Sequence, residues 1–164
     1  MQSKGEFIMS ILKFVNKTPK PIHEMYSYLT DPQKTTQNMI FGINVNPYNA
    51  GVEMEFTQEI YHVHEIRNPY VQVIFAFDQG LNISPLLALN ICKRIGYSFA
   101  YDNRQIFGAM HYNKPHQIHC HYMINYVSID GSLWRQGKSV VSYKSEINEI
   151  LRRYHLNPIY YYGQ

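Results

Sequence analysis

The chain of 164 residues has few of the features that mark secreted or membrane-embedded proteins. It contains only two cysteines, Cys92 and Cys120, and each lies in an apolar segment, so no disulfide framework is expected. No apolar run approaches the length of a membrane helix, and the N-terminus lacks the charged-then-apolar layout of a signal peptide. We therefore expect a cytoplasmic protein in a reducing compartment, without membrane insertion.

The sequence also lacks a strong charge of one sign, internal repeats and low-complexity linkers. Its net charge of +3 is mildly basic, which permits a nucleic-acid partner without establishing one. The absence of a Cys-x-x-Cys pair argues against a structural zinc site. The length fits a single domain over residues 1–164, either complete or the N-terminal part of a longer protein.

Histidine and tyrosine are the residues present in notable number. Half of the eight histidines lie between positions 111 and 121, at His111, His116, His119 and His121. The chain also has 15 tyrosines, and aromatic rings on a mildly basic surface suit the binding of unstacked bases, although many tyrosines are expected to be core or rim residues.

The pair His119 and His121 lies in a β-favouring run, separated by one residue. Because side chains alternate along a strand, both imidazoles are expected on one face. Imidazole binds many divalent ions, and a site with three protein ligands leaves a position open for catalysis. His111 is the natural third ligand if the chain turns near Lys114, with His116 as the alternative.

Hydrophobic patterning and turn residues predict alternating strands and helices. The predicted strands span residues 7–15, 39–45, 69–77, 105–112 and 118–129, and the predicted helices span residues 22–29, 49–64, 86–99 and 144–155. Residues 69–77 are the most strand-like and are expected to be central. Residues 49–64 carry Val52, Phe56 and Ile60 at helical spacing between glutamates, which predicts a surface helix.

This order of elements predicts the fold class α+β. We expect a single-domain sandwich with a central, mostly antiparallel sheet of about five strands and helices packed on it. The short connection between residues 105–112 and 118–129 predicts an antiparallel hairpin, which would bring His111 close to His119 and His121.

Tyr28 is a candidate nucleophile on the first helix. Ile22, Met25, Tyr26 and Leu29 follow the spacing of a buried stripe, and Tyr28 falls at the edge of that stripe. A phenol at the rim of a short helix can attack a bound substrate, and the alternative is an ordinary amphipathic tyrosine.

These residues together resemble the HUH endonuclease superfamily, and within it the relaxases of mobilisable elements. The segment from Tyr28 through Lys34-Thr35 looks like the first motif of that family, and residues 41–44, Phe-Gly-Ile-Asn, are similar to the segment that follows it. The third motif is matched by His111, His119, His121 and Asn125. The resemblance covers nearly the whole chain, and its strength lies in the order and spacing of the three motifs.

The resemblance implies a DNA relaxase that nicks the origin of transfer. A divalent ion on His111, His119 and His121 would bind the scissile phosphate, with Mn²⁺ or Mg²⁺ favoured and Zn²⁺ or Ni²⁺ as alternatives. Tyr28 would attack phosphorus and form a reversible 5′-phosphotyrosyl bond, which retains the energy of the diester.

The same resemblance implies contacts and partners. Lys34, Arg135 and Lys138 are the candidates for contacts with the DNA backbone, and Asn125 is the candidate for the polar lining of the site or a DNA contact. The implied partners are single-stranded DNA of an origin of transfer, accessory relaxosome proteins and a coupling protein.

Two departures from the family pattern and three alternatives accompany this reading. Asn113 stands where the family usually has an aspartate that orients a ligand imidazole, and the spacing from His111 to His119 keeps His116 as a possible ligand. A rolling-circle replication initiator would place its nucleophile after the histidine pair, at Tyr143 or Tyr154. A non-catalytic module that binds origin DNA and a hydrolase that uses water are the other two alternatives.

Overall fold

A computed structural model describes residues 10–17, 19–63, 68–114, 117–136 and 138–159. The helices and strands are β1 (Ile11–Phe14), α1 (Ile22–Leu29), β2 (Ile40–Ile43), α2 (Ala50–Ile60), β3 (Tyr70–Ala76), α3 (Pro85–Tyr97), β4 (Ile106–His111), β5 (His119–Asn125) and α4 (Val140–Arg153). The strands form one sheet in the order β1-β3-β5-β4-β2, and every neighbouring pair is antiparallel. The predicted α+β sandwich is therefore confirmed.

Strand β5, rather than β3, occupies the middle of the sheet. β3 is an interior strand paired with β1 on one side and β5 on the other. Residues 69–77 were expected to form the central strand, and in the structure they lie one strand away from the centre of the sheet. β5 is apolar on both faces, with Tyr122 and Ile124 on one and Met123 on the other, as expected for a strand covered on both sides. The strand with the histidine pair is thus hydrogen-bonded along both edges.

Two apolar layers cover the two faces of the sheet. On one face α3 and α4 pack over a large core that includes Phe75, Phe99, Tyr122, Tyr143 and Ile147. On the other face α1 and α2 cover a smaller core that includes Leu29, Met54, Tyr70, Phe107 and Met123. This smaller core lies on the face to which His119 and His121 also point.

Local sequence explains where two helices begin. α3 starts after Ser84, whose hydroxyl accepts a hydrogen bond of 3.2 Å from the Leu87 amide, and Pro85 occupies the first helical position. α4 starts after Ser139, whose hydroxyl accepts a bond of 3.1 Å from the Ser142 amide. The serine caps make α4 begin four residues earlier than the apolar pattern alone predicts.

Helix α2 packs with its small and polar side inward. Val52, Phe56 and Ile60 are 72%, 60% and 53% exposed. The buried positions of this helix are Ala50, Gly51, Met54, Thr57 and Gln58. Gly51 permits this orientation, because a Cβ atom there would lie 3.2 Å from the Cβ atom of Tyr26 on α1.

A buried arginine fixes the end of the sheet that lies away from the histidines. Arg104 is fully buried, and its guanidinium donates to the backbone carbonyls of Asn125 at 3.0 Å and Tyr126 at 2.8 Å. The same group pairs with the Asp102 carboxylate, which compensates its charge. Among the described residues, no helix is both long and apolar enough to cross a membrane.

A three-histidine candidate metal centre beside Tyr28

The strand register brings three histidines together on one face of the sheet. His111 on β4 pairs directly with His119 on β5, so the predicted hairpin is confirmed. His121 follows two residues later and therefore points the same way. The ring centroid of His111 lies 5.2 Å from that of His119 and 4.5 Å from that of His121. The ring centroids of His119 and His121 are 4.9 Å apart.

The three side chains offer one ligand atom each, and these atoms lie within 4.8 Å of one another. Two nitrogens bound to one ion at about 2.1 Å are at most about 4.2 Å apart, so a small inward rotation of the rings would complete such a site. Three imidazoles leave at least one coordination position for a substrate oxygen or water.

Two backbone carbonyls orient the histidines. His111 donates from Nε2 to the Leu29 carbonyl at 2.8 Å, and His119 donates from Nδ1 to the Gln117 carbonyl at 2.9 Å. These bonds leave the lone pairs on Nδ1 of His111 and Nε2 of His119. Asn113 is exposed, and the two carbonyls orient His111 and His119 without a carboxylate.

Burial favours the neutral imidazole at His111 and His121. Burial, followed by the nearby charges of His111, His119 and Lys34, lowers the pKa of His121 to about 3. Burial is also the main cause that lowers the pKa of His111. In addition, the buried Nδ1 atom of His121 has no hydrogen-bond partner among the described residues. Neutral rings and an unpaired buried nitrogen fit a cation as the missing partner.

Tyr28 lies on the last turn of α1, next to the residue that binds His111. Its side chain is 43% exposed, whereas the adjoining Leu29 is fully buried. The Nζ atoms of Lys34 and Lys20 lie 3.9 Å and 4.8 Å from the centre of the Tyr28 ring. The Tyr28 side chain is therefore accessible from solvent and has two positive charges close to its ring.

Lys34 connects Tyr28 with the histidine hairpin. Its carbonyl accepts a bond of 3.2 Å from the amide of Tyr112, the residue after His111. Its positive charge also helps to lower the pKa of His111 and His121. Of the predicted DNA-contacting residues, Lys34 is the one that the fold brings beside the cluster.

Asn125 is fully buried, and its side-chain amide is hydrogen-bonded to other buried groups. Its Oδ1 atom accepts from Gln58 Nε2 at 2.9 Å and from the Val127 amide at 3.1 Å, and its Nδ2 atom donates to Gln105 Oε1 at 3.0 Å. This placement does not support the expected DNA contact or site lining, because no polar atom of the side chain faces outward. We therefore expect Asn125 to stabilise the fold.

Arg135 and Lys138 lie beyond the end of β5 that is remote from the histidines. β5 runs for seven residues from His119, which is about 20 Å at the rise of a strand. The ammonium of Lys138 is paired with Glu146 at 2.5 Å, and the carbonyl of Arg135 accepts a bond from the Tyr101 hydroxyl. The structure thus separates these two residues from the cluster, and any contact they make with DNA would be distant from it.

Tyr143 and Tyr154, the alternative nucleophiles, lie on the face of the sheet opposite the histidines. Tyr143 is fully buried in the core under α3 and α4, and Tyr154 packs against the same core. His116, the alternative ligand, lies outside the described residues.

Sequence reasoning missed three contributors to the site. The carbonyls of Leu29 and Gln117 carry no side-chain signal, so only the fold could reveal them. Lys20 could have been considered, because a lysine shortly before the first helix can reach a tyrosine near its end.

Three imidazoles on the middle strands of a five-stranded antiparallel sheet could hold a metal ion, and an exposed tyrosine lies on the helix turn that is hydrogen-bonded to one of them. The family model described as relaxase, MobA/VirD2-like, nuclease domain matches residues 28–156, and the chain therefore belongs to this relaxase family. No curated protein matches the chain. The match begins at Tyr28 and includes all three histidines. Membership in this family supports a nuclease that acts on DNA, and the three histidines could bind a metal ion.

Proposed function

We propose that the chain is a relaxase that nicks one strand of DNA at an origin of transfer, with Tyr28 as the nucleophile. The observation that carries the proposal is the hydrogen bond of 2.8 Å from His111 to the carbonyl of Leu29. This bond ties the turn that bears Tyr28 to the imidazole cluster. The reaction needs a phenol near a phosphate-binding site, and the contact between the neighbour of Tyr28 and the cluster supports that arrangement.

In the proposed reaction, each residue of the cluster has a separate task. His111, His119 and His121 hold a divalent ion, with Mn²⁺ or Mg²⁺ favoured, and this ion would supply the positive charge that polarises the scissile phosphate. Leu29 and Gln117 hold two of the imidazoles in the ligating orientation. Lys34 places a further positive charge beside the phenol and the phosphate.

The bond changes in this reaction balance without a nucleotide cofactor. The Tyr28 oxygen loses its proton and forms a bond to phosphorus, while the bond from phosphorus to the 3′-oxygen of the preceding nucleotide breaks. The released 3′-oxygen takes up a proton. The product is a 5′-phosphotyrosyl bond and a free 3′-hydroxyl, and the reverse reaction rejoins the strand.

The proposed setting is the mobilisation of a conjugative plasmid or integrative element in the cytoplasm. The substrate is single-stranded DNA at the origin of transfer, and accessory relaxosome proteins and a coupling protein are the expected partners. A replication initiator with its nucleophile at Tyr143 or Tyr154 is less well supported, since both side chains lie on the far side of the sheet.

The test uses oligonucleotides that tile both strands of the DNA flanking the gene, each labelled at either its 5′ or its 3′ end. With MnCl₂ present, we expect a 3′ label to become attached to the protein in a denaturing gel, and a 5′ label to appear on a shorter free strand. Tyr28→Phe should abolish both signals. Tyr154→Phe is the matched control and should retain them.

Three results would contradict the proposal. Cleavage without any labelled protein would indicate a hydrolase that uses water, and loss of the adduct in Tyr154→Phe with retention in Tyr28→Phe would indicate an initiator. Binding of the oligonucleotides without cleavage in any divalent metal would indicate a non-catalytic module.

A further inference from the structure

The sheet face that carries the histidines is only partly covered by helices. Over β2, β4 and β5 the side chains on this face are buried under α1 and α2, as Ile40, Phe107 and Met123 are. Towards the other edge of the sheet, Ile74 is half-buried and Ile11 is 53% exposed. One side of the metal centre therefore adjoins an open apolar surface.

The strand register makes this surface continuous with the cluster. Ile11, Ala76, His119 and His111 are successive partners across β1, β3, β5 and β4, so their side chains form one row on one face. Because neighbouring strands lie about 4.8 Å apart, Ala76 is about 5 Å and Ile11 about 10 Å from the position of His119. Lys13, Ile74 and His121 form the next row.

A cavity of about 420 Å³ occupies this surface, which we call the β1-β3 shelf. It is lined by Ile11, Ile74, Ala76, Phe77, Gln79, Gln117 and His119. Its floor is apolar, and its rim bears the exposed side chains of Gln79 and Gln117. Within the described part of the chain, neither of these two side-chain amides has a hydrogen-bond partner.

We infer that the β1-β3 shelf binds a nucleobase of the DNA strand whose phosphate lies at the histidine cluster. This inference rests on the proposed function. A base has apolar faces and polar edges, which match an apolar floor with amide groups at its rim. Since His119 belongs both to the shelf and to the cluster, a nucleotide adjoining the scissile phosphate reaches the shelf. Lys13, in the next row, is placed to contact the backbone of the same strand.

Base binding at the shelf would give a functional role to Ile11 and Gln117, which lie outside the family motifs. Gln117 uses its backbone carbonyl to orient His119 and offers its side-chain amide to the base. The same residue thus couples the binding of a base with the orientation of a metal ligand. Ile11 and Gln117 become determinants of which base is accepted beside the nick.

The experiment compares hexanucleotides with the same phosphates, with and without bases. Fluorescent (dT)₆, (dA)₆ and an abasic hexamer are titrated with the protein in EDTA, so that no cleavage takes place. We expect at least one base-containing hexamer to bind the wild type about tenfold more tightly than the abasic one. The double variant Ile11→Ser, Gln117→Ala should reduce this ratio to about twofold or less, with unchanged affinity for the abasic hexamer.

Matched controls separate contact with bases from contact with phosphates. Ile60→Ser removes an aliphatic side chain on α2 with the same exposure as Ile11, 53%, and should leave both affinities unchanged. Lys13→Gln should weaken both kinds of hexamer by the same factor. A wild-type ratio of one, or an unchanged ratio in the double variant, would overturn the inference.

Cross-linking of the wild type provides a second readout that does not depend on a variant that folds. A hexamer containing 4-thiothymidine should cross-link to peptides from residues 74–79 or 117–121, and cross-links confined to α2 or α4 would overturn the shelf. The two proposals fail separately. Adduct formation with an unchanged base ratio refutes the shelf alone, and a lowered base ratio without any adduct refutes the nuclease alone.

Discussion

The Nζ atom of Lys34 lies 3.9 Å from the centre of the Tyr28 ring, and the backbone of the same lysine is hydrogen-bonded to Tyr112, next to His111. One residue therefore holds positive charge beside the candidate nucleophile while its main chain is fixed to the candidate metal centre. Lys34 lies in the turn after α1, and its bond to Tyr112 anchors that turn to the end of β4.

Substitution of Lys34 should slow the chemistry more than it weakens DNA binding. In Lys34→Gln the phosphate loses a preorganised positive charge, and we expect the rate of adduct formation to fall about 100-fold. Single-turnover assays with excess protein measure this rate. Lys93→Gln removes an exposed lysine of α3, on the far side of the sheet, and should not change it. Equal rates for the two variants would exclude a catalytic contribution of Lys34.

Removal of one imidazole should abolish stabilisation by metal. A divalent ion that binds only the folded protein raises the free energy of unfolding by about 2.7 kcal/mol at 100 times its dissociation constant. We expect MnCl₂ to raise the melting temperature of the wild type and to leave that of His121→Ala unchanged. His23→Ala, which alters an exposed histidine paired with Glu55, should respond like the wild type. A full metal response in His121→Ala would argue against this centre.

Gly42 in the second family motif is expected to be structural. A Cβ atom at this position would lie 2.0 Å from the Val45 carbonyl oxygen, so the chain would have to shift. Gly42→Ala should lower the free energy of unfolding by about 1–3 kcal/mol, measured by urea denaturation. Val52→Ala is the control, since it alters a side chain of α2 that is 72% exposed and should change the free energy of unfolding by less than about 0.5 kcal/mol. A neutral Gly42→Ala would show that the turn after β2 relaxes readily.

Tyr143→Phe should spare cleavage and alter stability only at alkaline pH. Burial, followed by the nearby Tyr101, Glu146 and Asp102, raises the pKa of Tyr143 to about 12, against about 10 in an unfolded chain. The stability contributed by the protonated phenol is therefore fully present below pH 10 and is lost as the pH rises through 12. The variant should lose less stability than the wild type over this interval.

Unfolding followed by circular dichroism at pH 8 and pH 11 measures how much stability the wild type and Tyr143→Phe each lose. At pH 8 the change should be within about 1 kcal/mol, since the Tyr143 hydroxyl has no hydrogen-bond partner among the described residues. The same pH dependence in both proteins would show that another group accounts for the alkaline loss.

The local parts of the site could be predicted from the sequence because they depend on strand geometry. Alternation along β5 places His119 and His121 on one face, and the short hairpin brings His111 opposite His119. The bounds predicted for α1, residues 22–29, agree with the structure because a proline and an apolar stripe define this helix. Which side of the sheet each remaining residue occupies depends on contacts between distant segments.

Three residues illustrate where sequence reasoning ended. Asn125 follows the histidine pair on the same face, yet that face is open at His119 and sealed by α2 at Asn125. Arg135 and Lys138 are close to the histidines in sequence, but the length of β5 lies between them. Closeness in sequence therefore predicted more residues around one phosphate than the fold brings there.

The orientation of α2 has a similar cause. The spacing of Val52, Phe56 and Ile60 locates the helix correctly but does not decide which side turns inward. The close approach of Gly51 to Tyr26 and the buried amide of Gln58 require small and polar residues inside. The most apolar stripe of the helix consequently faces solvent.

The pairing of β5 along both edges determines how the candidate centre can fail. His119 and His121 belong to a strand that cannot separate from either neighbour without opening the middle of the sheet. Their amides should therefore exchange with solvent only through global unfolding, among the slowest in the domain. Heat or denaturant would then destroy ion binding and tertiary structure in a single cooperative transition, with no locally melted form that keeps the fold and releases the ion.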